Sequence, residues 1–382
     1  MIYLDNAATT WPKPEAVYQA VDACLRSVGG NPGRGGHGSA RTATGILYEA
    51  REELATLFGI ANPTEIIFTH NATDALNMAV LGTIGPGDII VSTSMEHNAV
   101  ARPLRHLERS GATLRIVDCN LDGMPDLTLL KQAAKGAKAI VMSHASNVTG
   151  TIMPVYEAGQ IAKANHCLFI VDAAQTAGVE EIDIRNMNID MLAFSGHKGL
   201  FGPQGTGGLY IRDGIQIMPL RYGGTGSLSE SDVQPEFLPD RLESGTPNTP
   251  GIAGLLAGVR YIQAVGRETI RSKESKLASQ LKEGLKAIKG VAIYGPADNN
   301  KQTAVVSFTI AGLDSGAIAH ELDRKFGIAC RAGLHCAPWT HQTIGTLKTG
   351  TVRFSPGYFN TSGEITEAIQ AVKSIAKRDG EK

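Results

Sequence analysis

The run FSGHKGLFGPQGTGGLY, residues 194–210, sets Lys198 between a histidine and a series of glycines. A lysine in that setting can be a surface charge, a phosphate clamp or a covalent catalyst. The nucleotide-phosphate pattern G-x-x-x-x-G-K-[ST] fails here, because Gly199 stands where Ser or Thr is required. GRGGHG (33–38) satisfies G-x-G-x-x-G, but it follows a helical pattern rather than a strand, which argues against a dinucleotide fingerprint. A second chemically suggestive residue is Cys336 in RAGLHCAP. It is flanked by Gly333 and Pro338 in a loop after a strand, with Arg331 and His335 close by to favour a thiolate. The alternative for this cysteine is a small buried apolar residue, which a Gly- and Pro-flanked loop disfavours. Cys330, in the strand-like IAC, and Cys24, on a helical face, read as core; Cys119 and Cys167 suggest no role.

A lysine becomes a covalent catalyst by forming a Schiff base with a carbonyl cofactor. Pyridoxal 5'-phosphate would need a phosphate cradle, a carboxylate facing its pyridine nitrogen and a group to hold the ring. The sequence offers each. HNATDALNMAV is a polar turn leading into a helix, where free N–H groups and the positive dipole end favour an anion. Ala72, Thr73, Ser195 and His197 are candidate phosphate contacts, Asp172 a partner for the nitrogen and His97 a ring to stack. Singly, Asp172 could equally cap a helix and His97 could be an ordinary loop histidine.

These residues need elements to position them. EIIFTH (65–70), DIIVST (88–93), TLRIVDC (113–119), KAIVMSH (138–144), LFIVDAAQ (168–175), MLAFSGH (191–197) and GGLYIR (207–212) read as buried strands separated by helical patterns. That alternation predicts an α/β protein with a mostly parallel seven-stranded sheet covered on both faces. Ligands bind beyond the carboxyl ends of such strands. Five of them end in polar chemistry: HNAT, MEHN, SHASN, DAAQ and SGHK. The character changes after GTPNTPG (245–251), where a long helical pattern to about 288 should bend at Gly266. VAIYG, AVVSFTI, a helix near 314–326, IACRAG, TVRFS and a helix from about 362 then form a smaller α+β domain. The expected division is 16–255 for the large domain, and 1–15 plus 256–382 for the small one.

Lys+Arg at 36 against Asp+Glu at 37 gives no electrostatic case for nucleic acid or an anionic membrane. No apolar run approaches spanning length and MIYLDNAATT lacks the features of a signal peptide. Five cysteines without a CxxC pair suggest reduced thiols and a cytoplasmic location.

Taken together, YLDNAATT, TEIIFTHNATDALN, MEHNA, SHASNVTGT, FIVDAAQTAG, AFSGHKGLFGPQGTG, ESGTPNT and RAGLHCAP resemble class V aminotransferase-fold enzymes, within them the cysteine desulfurase and selenocysteine lyase group. The resemblance runs from Tyr3 to TVRFSPGYFNT and implies the fold type I architecture of pyridoxal-phosphate enzymes. By it, Lys198 is the Schiff-base lysine, Asp172 the pyridinium partner, His97 the stacking ring and Gln175 the neighbour of the phenolic oxygen. Thr73, Ser195 and His197 become phosphate ligands. Thr246, in GTPNT, would reach the phosphate of the other subunit of a homodimer.

The resemblance also implies the chemistry: L-cysteine, or L-selenocysteine, would lose its Cα proton to Lys198 and its sulfur to Cys336. The products would be L-alanine and a persulfide destined for an acceptor protein. Arg353 in TVRFS matches the arginine that forks the substrate carboxylate, helped by Asn147. Arg34 and His37 match a segment bordering the pocket, and Arg331 completes the candidate substrate contacts.

The sequence departs from the pattern at Ala72, where many relatives have a second hydroxyl, at Asn98, where a histidine is often repeated, and in HQTIGTLKTG between Cys336 and Arg353. A selenocysteine lyase, a C–S lyase, an aminotransferase and a silent scaffold on the same fold are the competing readings.

Overall fold

The computed structural model describes residues 1–33 and 35–379. In chain order, β1 (Ile2–Tyr3) precedes α1 (Glu15–Ser27) and α2 (Gly38–Phe58). The alternating part then runs β2 (Ile66–Thr69), α3 (Ala72–Thr83), β3 (Ile89–Thr93), α4 (Asn98–Arg109), β4 (Thr113–Val117), α5 (Leu127–Ala133), β5 (Ala139–Ser143), α6 (Val155–Ala164), β6 (Leu168–Asp172), β7 (Met191–Ser195) and β8 (Gly207–Ile211). These seven strands, β2 to β8, form one sheet in the order β2-β8-β7-β6-β5-β3-β4. Pairing is parallel from β4 across to β7, and antiparallel where β8 meets β7 and β2.

Consecutive strand residues point to opposite faces, and both faces are buried. Ile140, Met142, Phe169 and Val171 enter a core shared with α5, α6 and α7 (Thr249–Val265), while Val141 and Ile170 enter a core shared with α3 and α4. This explains why β5 and β7 read as unbroken apolar runs. Strand order reverses between β3 and β5, because β4 lies outside β3 while β5, β6 and β7 follow on its other side. Such a switch point leaves a crevice at the carboxyl ends of the strands. The register keeps those ends level there, with Ser143 opposite Asp172 and Asp172 opposite Ala193.

The break expected at Gly266 separates α7 from α8 (Arg267–Lys286), and Gly266 takes φ 90°, a conformation that suits glycine. Beyond it come β9 (Val291–Tyr294), β10 (Val306–Ile310), α9 (Ser315–Phe326), β11 (Ile328–Ala329), β12 (Arg331–Gly333), α10 (Pro338–Thr343), β13 (Thr351–Phe354) and α11 (Ser362–Asp379). An antiparallel sheet of order β12-β13-β10-β9 packs with α8, α9 and α11 around a separate core that includes Phe308, Phe354 and Leu322. The chain start joins this layer, with β1 parallel to β11 and Asp5 bridged to Ser355. Among the described residues no helix is long and apolar enough to cross a membrane.

One close approach fixes the entry to α3. At Gly207, the first residue of β8, an added Cβ would lie 2.7 Å from the Asn71 Cα and 2.8 Å from the Phe194 carbonyl oxygen, both backbone atoms. Gly207→Ala should therefore push the start of α3 off the sheet, at a cost of about 1–3 kcal/mol. Urea unfolding of the variant measures this, and an unchanged midpoint would contradict the packing.

Candidate functional site

Lys198 follows β7 in a turn held from several sides. Its carbonyl accepts from Thr10 Oγ1 at 2.9 Å and the Phe201 amide at 2.9 Å, while the His197 carbonyl accepts from the Thr10 amide at 3.1 Å. Burial lowers the Lys198 amine to about 8, with Asp172 pulling the other way and Arg353 and Arg331 adding to the depression. An amine so placed can give up and take back a proton near neutrality.

Asp172 ends β6. Its Oδ1 accepts from the Ala174 amide at 2.9 Å, and burial raises its pKa against the pull of that amide and of Lys198. A cationic nitrogen opposite the carboxylate would offset the desolvation. His97 caps α4, its Nδ1 accepting from the Ala99 amide at 3.0 Å, so any proton on the neutral ring belongs on Nε2. Burial and four nearby cations, Lys198, Arg331, Arg353 and Arg102, hold this imidazole at about 4. A neutral flat ring is what stacking on a planar group needs.

These three residues share a cavity of about 200 Å³. Ala72 and Thr73 line it at the start of α3, and Ser195 and His197 line it beside Lys198. Asn71 caps α3 by accepting from the Asp74 amide at 3.0 Å, and the main-chain amides of Ala72 and Thr73, the first two residues of the helix, have no acceptor inside it. Among the described residues the buried His197 Nδ1 has no hydrogen-bond partner. Open amides, an unpaired imidazole nitrogen and a hydroxyl at a helix N-terminus suit a phosphate. The cavity thus pairs an anion cradle with a carboxylate, a ring and a lysine, the set that pyridoxal phosphate requires. Gln175 and Asn147 complete the wall. Both have further bonds, Gln175 Nε2 donating to the Ala7 carbonyl at 3.1 Å and Asn147 Nδ2 to the His335 carbonyl at 2.7 Å.

Cys336 is exposed, at the tip of a turn where His335 (φ 48°) and Cys336 (φ 59°) are both left-handed. For non-glycine residues this is a strained arrangement that persists only when the surroundings enforce it. Here they do. The Cys336 carbonyl accepts from the Asn98 amide at 2.7 Å, and His335 Nε2 sits 3.1 Å from both the Thr351 carbonyl and its hydroxyl. Arg331 Nη2 lies 3.2 Å from the Cys336 sulfur. Arg353, only 1% exposed, stands behind Asn147, donating from Nη1 to its carbonyl at 3.0 Å and from Nη2 to Asp5 Oδ1 at 2.7 Å. Its Nε is unpaired.

Other candidates lie elsewhere. Thr246 accepts from Asn31 Nδ2 at 3.3 Å on the wall of a separate hollow of about 100 Å³. His37 caps α2 on an exposed loop. Arg34 lies outside the described residues. Conversely, two acids escaped the sequence reading. Asp5 answers Arg353. Glu96, 0% exposed and raised by burial to about 7, accepts from Thr93 Oγ1 at 2.6 Å, the Ser143 amide at 2.9 Å and Ser143 Oγ at 2.8 Å, bracing the β3 and β5 ends. The visible signal for Glu96 is a glutamate three residues past the end of the buried strand β3.

The chain is similar to known proteins over nearly its whole length. The model of the aminotransferase class-V family matches residues 2–367. A probable cysteine desulfurase of Methanothermobacter thermautotrophicus is 35% identical over 382 residues, covering 98% of this chain and 94% of its own. The solved apo structure of the cysteine desulfurase of Thermococcus onnurineus aligns with a TM-score of 0.93 at 37% identity, over 98% of this chain and 94% of that one. The cysteine desulfurase CsdA of Escherichia coli aligns with a TM-score of 0.88 at 29% identity, over 98% and 94% of the two chains.

Burial also sets a pH response beneath the thiol turn. His341 is 0% exposed, its Nδ1 2.7 Å from Thr346 Oγ1, and burial holds its pKa at about 4. In the unfolded chain it protonates near pH 6.5, so below that pH the unfolded state binds the extra proton and the folded state loses stability. His341→Asn removes this loss. Relative to the parent, it should gain up to about 1.4 kcal/mol per pH unit on going down from pH 6.5 towards 5 and show no such trend above pH 7. Denaturant titrations of both proteins at pH 7.5 and 5.5 measure the difference, and a pH-independent gap would show that the folded imidazole is not held neutral.

Proposed function

From the premise that this chain belongs to the aminotransferase class-V family, whose members depend on pyridoxal 5'-phosphate, we propose that it is a cysteine desulfurase. It takes sulfur from L-cysteine, releases L-alanine and leaves a persulfide on Cys336. The observation that carries the reading is the exposed Cys336 thiol, presented on a braced turn beside Arg331 and docked through its carbonyl onto the same helix start that His97 caps.

Lys198, Asp172, His97 and Gln175, with the cradle at Ala72, Thr73, Ser195 and His197, would hold the cofactor. When bound, the cofactor supplies an electron sink that weakens the substrate's Cα–H and Cβ–S bonds. Lys198, near 8, takes the Cα proton and returns protons to the carbon frame. Asp172 would keep the ring nitrogen positive and His97 would cover the ring. Arg353, oriented by Asp5 and the Asn147 carbonyl, directs its remaining donors to the substrate carboxylate.

The Cys336 sulfur, 3.2 Å from Arg331 Nη2, attacks the substrate sulfur as the thiolate. An S–S bond forms as Cβ–S breaks, and Cβ gains a proton. L-cysteine plus thiolate becomes L-alanine plus persulfide, with no external oxidant or reductant.

The functional unit in this reading is a homodimer in the cytoplasm, in which Thr246, and His37 at the start of α2, reach the partner's site. The face that carries them supports this, since Tyr222, Leu228 and Val233 expose 66%, 47% and 69% of their surface. Such apolar exposure marks an interaction surface. The small layer, residues 1–15 plus 256–382, acts as the unit bearing the thiol against a large unit, 16–255. A sulfur-acceptor protein completes the cycle.

Mass spectrometry after cysteine addition tests the proposal. A one-sulfur gain should map to Cys336 with alanine as product, and Cys336→Ser should abolish both while keeping the absorbance of lysine-bound cofactor. Pyruvate and ammonia without a persulfide would replace the desulfurase with a lyase. Asp5→Asn removes a charge-assisted bond from Arg353 and should lower kcat/KM for cysteine about tenfold, chiefly through KM. Steady-state kinetics that leave KM unchanged would release Arg353 from the carboxylate role.

A further inference from the structure

Lys13, two residues before α1, is half-buried, and its Nζ donates to two main-chain carbonyls, that of Thr10 at 3.0 Å and that of His197 at 3.3 Å. Among the described residues it has no carboxylate partner, and burial lowers its pKa to about 8 with no acid pulling the other way. Withdrawing a cation from water without a counter-ion is costly. Bonding two neutral carbonyls needs only an N–H donor, so the charge itself calls for an explanation.

The His197 carbonyl leads from Lys13 to the site. It accepts from the Thr10 amide at 3.1 Å and Thr9 Oγ1 at 3.2 Å as well, while the next carbonyl, that of Lys198, accepts from Thr10 Oγ1 at 2.9 Å. The main chain of His197 is thus gripped from outside by the chain start. Its ring lines the cofactor cavity of about 200 Å³ together with Thr73 and Ser195. The charges that act on this ring are Lys198 and Lys13, both cations. Among the described residues that line the cavity, Lys198 is the only lysine or arginine. The cradle at Ala72, Thr73, Ser195 and His197 offers neutral donors alone, whereas the phosphate it suits is an anion.

We propose that Lys13 is a positioning residue of the cofactor site: tied to the His197 carbonyl, its ammonium is a fixed positive charge behind the phosphate cradle that makes the site select the phosphorylated cofactor. The inference rests on the cofactor assignment in the function proposed above and is independent of the chemistry of Cys336. Lys13 does not line the cavity and acts through His197, with the ammonium outside and the imidazole inside. A charge already held in place needs no rearrangement when the anion arrives, and in partly buried surroundings it attracts that anion several times more strongly than in water.

Cofactor uptake separates the charge from the clamp. The cofactor-free protein is titrated with pyridoxal 5'-phosphate and with pyridoxal, which lacks the phosphate, and the absorbance of the lysine-bound form gives each affinity. Lys13→Gln keeps an N–H donor for the carbonyls and loses the charge. It should weaken pyridoxal 5'-phosphate about tenfold while leaving pyridoxal within about twofold of the parent. Lys13→Arg, which keeps the charge, should restore most of the preference. Equal losses for the two ligands would make Lys13 a structural clamp only, and an unchanged affinity for pyridoxal 5'-phosphate in Lys13→Gln would leave the charge without a role; either result overturns the inference. A Lys13→Arg protein that selects no better than Lys13→Gln overturns it too. If the parent itself takes up neither ligand, the cofactor assignment fails and the inference falls with it.

Discussion

Arg353 places a guanidinium on a side chain only 1% exposed, and much of the surrounding structure follows from how that charge is held. Taking such an ion out of water costs several kcal/mol, which only close partners offset. Asp5 and the Asn147 carbonyl are those partners. Asp5 belongs to the chain start, so the ion pair pins the first residues between the two layers. From that anchor the segment bridges to Ser355, then returns to the Lys198 turn through Thr9 and Thr10. The same few residues therefore fix the arginine and the lysine relative to each other, across a gap that no regular element spans.

Low polarity sets the chemistry on both sides of this strap. Burial pushes the bases Lys198 and His97 down and the acids Asp172 and Glu96 up, so that charged forms are disfavoured in and beside the crevice. A bound dianionic phosphate and a pyridinium would reverse part of that penalty. The pocket is consequently more comfortable filled than empty, which is the expected electrostatic state of a site built around a resident charged group.

Much of this was legible in the sequence because it is local. Unbroken apolar runs such as AIVMS and MLAFS announce strands buried on both faces, and the polar residue that ends each run must lie at the same edge of a parallel sheet. Gly266 marked the helix break. What the sequence hid are contacts made across long separations or through the backbone. Asp5 and Arg353 are 348 positions apart, and nothing in either motif names the other. Asn98 reads as a departure from a histidine pattern, yet its main-chain amide, which any residue but proline has, holds the Cys336 turn. Thr246 and His37 stand outside the cavity of the chain, and nothing local in GTPNT or GRGGHG announces that separation.

The pair of left-handed residues under the thiol has a further consequence. Both carbonyls of His335–Cys336 are tied, one to the Asn147 side chain and the other to the Asn98 amide. The sulfur atom therefore sits on a fixed post rather than a tether. A tethered carrier samples a volume and can deliver its load at a distance, but a post delivers only at its own position. On the desulfurase reading, the entropy of bringing two sulfurs together falls on whatever receives the atom, which must itself supply the reach. Evolutionary change in the choice of recipient would then be written in the recipient's loop and in the rim around Cys336, while the turn itself stays constant.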